Sequence, residues 1–140
     1  MKYYFGILAI LMLTACAGST HLLVKEGGAP FVGGELIHDR GEGNLLVLEA
    51  PGRRYEARGF VVDRQTNLAA LYKRYHGINP KHWDRIFSGL DTDHVTYSIE
   101  TIATSAEGDK VSCHLVWSRA KKPKGVCTDQ AETAFSVHFE

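Results

Sequence analysis

KVSCHLVWSRAKKPKGVCTD, residues 110–129, is the stretch on which the fold turns: it reads as one strand, a basic turn containing Pro123 and Gly125, and the start of a return strand. Upstream, HVTYSIETIATSA (94–106) sets Val95, Tyr97 and Ile99 against Thr96, Ser98 and Glu100, and Glu107-Gly108-Asp109 then supplies a turn into 110–118. That is the period-2 pattern of a half-buried strand followed by a hairpin. Downstream, GVCTD and AFSVHFE form a further pair across the short polar connection Gln130 to Thr133.

The same pattern begins earlier. NLLVLEA (44–50) and RRYEARGFVVD (53–63) are joined at Pro51-Gly52, a compact turn signal, and predict another hairpin. In its second arm Tyr55, Ala57, Gly59 and Val61 share one face, and Glu56, Arg58 and Phe60 the other. Between the hairpins the period changes. QTNLAALYKRYHG carries Leu68, Leu71, Tyr72 and Tyr75 at helical spacing, with Thr66 or Asn67 as a cap and Gly77 as a stop. Asn79-Pro80 then predicts a second short helix through KHWDRIF. The expected fold is mainly β: a small antiparallel sheet or curled sandwich of about six strands, with one or two short inserted helices.

The amino-terminal part has a different composition. Lys2 is followed by YYFGILAILMLTA (3–15), an uncharged apolar run of thirteen residues. This suits a secretory signal and falls short of the ~20 residues of a bilayer span. Residues 17–43 hold seven of the fourteen glycines. Glycine at that density opposes regular helix and suits a flexible tether, although Leu22-Leu23-Val24, Phe31-Val32 and Leu36-Ile37 are apolar enough to dock. The expected organisation is a signal at 1–15, a tether at 16–43 and one β-rich domain at 44–140.

Leu13-Thr14-Ala15-Cys16 resembles the lipobox of bacterial lipoproteins. By that resemblance Cys16 is the lipidated first residue of the mature chain, held to the bilayer by several acyl chains, since one chain anchors only marginally. Ala17, where an Asp favours inner-membrane retention in enteric lipoproteins, implies transfer to the outer membrane, facing the periplasm. With Cys16 so used, Cys113 and Cys127 are an even pair in an exported protein, and an intramolecular disulfide is the simplest reading. It requires that the two positions face each other across the hairpin. The competing use as metal ligands lacks any C-x-x-C spacing. Residues 110–139 also resemble the end of a broad group of small uncharacterised bacterial lipoproteins, through Gly108, Cys113, Gly125, Cys127 and the strand Phe135 to Phe139. The chain departs from that group at Ala131-Glu132, where a Gly is usual in the last turn. The resemblance implies fold and location and is silent on activity.

The mature chain, 16–140, carries 15 Lys and Arg once Lys2 is removed from the 16, against 16 Asp and Glu. A near-neutral balance gives no footprint for nucleic acid. No catalytic set stands out. Ser118-Arg119-Ala120-Lys121 matches S-x-x-K but has no S-D-N or K-T-G companion, and no G-x-S-x-G or phosphate loop exists. The expectation is therefore no enzyme and no cofactor.

Three groups remain as candidates. Arg119, Lys121, Lys122 and Lys124 sit on the hairpin turn and could contact anionic lipid, glycolipid or an acidic partner, each charge contributing about 1 kcal/mol near an anionic surface. Tyr72, Tyr75, Trp83 and Phe87 in the helical segment could face a protein partner. Asp91, Asp93 and His94, with His76 or His82, are a weaker metal candidate, since no H-x-x-x-H pair accompanies them. His114 and His138 read as solvent-facing strand positions. The function these features imply is a membrane-anchored envelope binding or scaffolding module, with a periplasmic small-ligand or metal-binding module as the alternative.

Overall fold

The computed structural model describes residues 18–39, 43–77, 79–88, 90, 95–118 and 121–140. Among these lie nine strands and two helices: β1 Ser19–Leu22, β2 Gly33–His38, β3 Leu45–Ala50, β4 Arg53–Arg58, β5 Asp63–Gln65, α1 Leu68–His76, α2 Pro80–Ser88, β6 Thr96–Ser105, β7 Lys110–Ser118, β8 Lys124–Asp129 and β9 Ala134–His138. All pairings are antiparallel, in the order β1-β2-β3-β4-β6-β7-β8-β9, with the short β5 also pairing β6. The fold is mainly β, as the period-2 runs predict.

The sheet curls until its edges meet. Leu22 and Glu140 exchange two backbone hydrogen bonds, at 2.7 and 2.8 Å, Val24 donates to the His138 carbonyl at 2.9 Å, and Leu23 bridges Phe139. A ring of eight strands leaves an interior just wide enough for side chains. Here it is filled by Leu36, Leu46, Leu48, Ile99, Leu115 and Phe139, all 0 % exposed, among other apolar residues. Phe31, packed edge-on to Tyr55 and Phe135, closes one end; Trp117, stacked on Tyr97, lies toward the other.

Residues 19–38 correct the expected tether: β1 and β2 are part of the sheet, so the strand count rises from six to nine together with β5. The glycines of this region serve close approach as well as turning. A Cβ on Gly34 would stand 2.3 Å from the Val47 carbonyl oxygen, so only glycine lets β2 lie against β3 there. The alternation in 53–63 also stops early. Tyr55 and Ala57 face the core, but Gly59 at φ 68° turns the chain, burying Phe60 and leaving Val61 72 % exposed.

The helices follow the sequence signals. Asn67 caps α1, its side chain accepting from the Ala70 amide at 3.1 Å, and Gly77 ends it. Pro80 opens α2 after Asn79, which takes φ 59°. Both pack on the outer face of β7 and β8, where Leu71, Tyr75, Trp83, Ile86, Phe87 and Leu90 meet Val116 and Val126. This cover explains why Thr96, Ser98 and Ser118, on the nominally wet side of the sheet, are at most 2 % exposed. On the inner side, Cys113 and Cys127 stand directly opposite each other on β7 and β8, Cα atoms 4.1 Å apart, and form a disulfide.

Candidate functional site

The basic turn between β7 and β8 is held rather than loose. Pro123 is fully buried, and its carbonyl accepts from the Phe139 amide at 2.9 Å, tying the turn to the end of β9. Lys121 and Lys122 are thereby presented at one end of the ring, with Lys124 at the start of β8. α2 brings Arg85 alongside: its guanidinium donates to Ser136 Oγ on β9 at 2.6 Å, and His82 Nδ1 lies 2.6 Å from the same oxygen.

These four cations line one cleft of about 390 Å³. Ile86, Val137, Pro123 and Phe139 border it from beneath, none more than 3 % exposed. Glu26 and Glu140 also line it, and Glu26 is already bonded to His138. None of the ion pairs among the described residues engages Lys121, Lys122, Lys124 or Arg85. Four cations against two carboxylates is an arrangement suited to an anion. Arg119 lies outside the described residues.

A second hollow, about 230 Å³, shares Lys121 and is otherwise lined by Ser19, His21, His38, Asp39, Tyr97 and Trp117. His21 and His38 meet through their Nε2 atoms at 2.9 Å with ring planes 12° apart, so one imidazole donates and the other accepts. His38 is 5 % exposed, with Asp39 2.8 Å from its Nδ1 and the Trp117 ring against its face. Burial holds the His21 pKa below the ordinary histidine value, reinforced by His38 and Lys122 and opposed by Asp39.

The aromatic set expected to face a partner does not do so. Tyr75 and Trp83 are each 1 % exposed and stack at 4.7 Å, and Phe87 is buried beside them. Tyr75 donates to Glu100 Oε1 at 2.8 Å, and burial raises its pKa far above the ordinary tyrosine value. These rings hold the helical insertion on the sheet, because an amphipathic helix laid on a sheet must bury its large residues there. Tyr72 alone stays half-exposed, its hydroxyl donating to Asp84. His114 is on the outer face but lies under the Tyr75 ring and is not solvent-facing; burial lowers its pKa, with Glu100 opposing and Arg74 assisting.

Asp91, Asp93 and His94 lie outside the described residues, as does Cys16. Of their suggested companions, His76 contacts Asp84 at 3.1 Å and His82 is engaged with Ser136. Among the described residues no three His, Cys, Asp or Glu come together as a metal-binding set, and no helix is long and apolar enough to cross a membrane.

Sequence reasoning found the lysines but missed Arg85 and the His21–His38 pair. Arg85 is one of many surface cations until the topology sets α2 beside β9, and the histidines fell in the stretch read as a tether. No protein family matches the chain, and neither a curated protein nor a solved structure does.

Proposed function

We propose that this chain is a non-enzymatic bacterial envelope lipoprotein, anchored by acyl chains on Cys16 and facing the periplasm from the outer membrane, whose β domain binds an anionic envelope component through the basic cleft. The observation that carries the reading is the convergence of Lys121, Lys122 and Lys124 with Arg85 on one cleft. Two separate elements supply the cations, and both are pinned, the turn by Pro123 and the arginine by Ser136. The lipobox resemblance supplies the compartment, and the Cys113–Cys127 disulfide suits an oxidising one. The component is a lipid, a glycolipid or an acidic envelope protein; no nucleic acid and no cofactor enter the reading.

The test is photo-cross-linking in intact cells from position 122, with Cys16→Ser as the anchoring control and mass spectrometry of what is trapped. One anionic component enriched far above its abundance, and lost with Arg85→Glu, is the expected result. Trapped species in proportion to their copy number would reject the cleft as a binding site.

A further inference from the structure

We infer that the occupant of the cleft is the phosphate head group of an anionic phospholipid in the same bilayer that holds the anchor; this rests on the cleft reading above and names its ligand. Three observations select that occupant. First, the cleft gathers four cations from a turn and a helix around a compact hollow, while Ile86, Val137 and Phe139 at its edge are at most 3 % exposed, so a charged group is what it holds. An acidic peptide asks for a run of cations along an extended groove.

Second, the size fits part of a lipid. About 390 Å³ accommodates a phosphoglycerol head and leaves the acyl chains outside, as they are when a lipid stays in its leaflet.

Third, the chain enters the fold at this end. Ser19, where β1 begins, lines the hollow that shares Lys121 with the cleft. Cys16 is three residues earlier, so a lipid on it lies at most about 11 Å of extended chain away from Ser19. An anchor that short holds the lysine-bearing end against the head groups. Phosphates are then the anions present there at the highest local concentration.

The experiment uses the full lipidated chain in phosphatidylcholine vesicles containing a photoreactive acyl-chain probe, either phosphatidylglycerol or phosphatidylcholine, with labelled peptides mapped by mass spectrometry. Label from the phosphatidylglycerol probe on the segments around Ile86 and Val137 to Phe139 is expected. It should fall about thirtyfold in an Arg85→Gln, Lys122→Gln double variant, as neutralising two cations at about 1 kcal/mol each near an anionic surface implies. Lys122→Gln alone, an exposed turn substitution, should lower it in part and keeps the test readable if the arginine variant melts early. Equal labelling from both probes, or labelling unchanged in the variants, overturns the inference. So does capture of an acidic protein at position 122 in cells with no lipid label in vesicles, a result that leaves the cleft reading standing.

Discussion

Gly125 faces the backbone of its neighbouring strand so closely that a Cβ there would lie 1.8 Å from the His114 carbonyl oxygen and 2.8 Å from Leu115 Cα. No rotamer relieves a clash with main chain. Gly125→Ala should therefore cost about 3 kcal/mol or more in urea unfolding, at the upper end of overpacking penalties. Gly27→Ala, where nothing lies within 4 Å of the added atom, should change stability by about 0.5 kcal/mol or less. Equal effects at the two sites would show that the strands can part at Gly125.

The disulfide closes a loop with a sequence separation of 14. A Cys113→Ala, Cys127→Ala double variant should lose about 3 kcal/mol by the chain-entropy argument. A loss below about 1 kcal/mol would mean that residual structure already restrains the unfolded hairpin.

Protonation should weaken the fold in mild acid. His21 and His114 both have pKa values lowered from 6.5, mainly by burial. The unfolded chain thus takes up these protons first as pH falls, so their contribution is complete well above 6.5 and is lost below it, down through the lowered folded values. The thermal midpoint should decline below pH 6.5, and a His21→Gln, His114→Gln variant should show a shallower decline. An unchanged slope would assign the acid sensitivity to other groups.

Glu132 occupies the left-handed region at φ 63°, in the turn between β8 and β9. The turn is organised by Asp129, whose Oδ1 accepts from the Ala131 and Thr133 amides, both at 2.9 Å. Glu132→Gly should stabilise by up to about 1 kcal/mol by removing the Cβ strain, while Asp129→Ala should destabilise by a similar amount. Denaturation midpoints moving the other way would place the strain elsewhere.

Trp83 separates a packing role from a docking role. With 1 % of its surface exposed, Trp83→Ala should cost about 3 to 5 kcal/mol in thermal or urea unfolding. A stable variant that has lost only binding would restore the aromatic set as a partner surface.

Strands β3, β4 and β6 to β9 and both helices were legible because their evidence is local: alternation, Pro51-Gly52, Asn67, Asn79-Pro80. Closure of the ring was not, because it depends on Leu22 meeting Glu140, 118 positions apart, and no local pattern encodes that register. The glycines of 17–43 misled for a related reason. Gly33 and Gly34 sit in a strand, and at Gly34 the demand for a missing side chain comes from Val47 across the sheet. In the site, the lysines could be read as a charge run, whereas Arg85 joins them only once α2 is laid beside β9.

The seam at Leu22 and Glu140 also sets an order of events. Until residues 138–140 are in place, the edge from Leu22 to Val24 has nothing to bond with, however completely the intervening hairpins have formed. The folding chain therefore passes through a stage with an open, adhesive margin, and residues 138–140 act as the clasp that ends it.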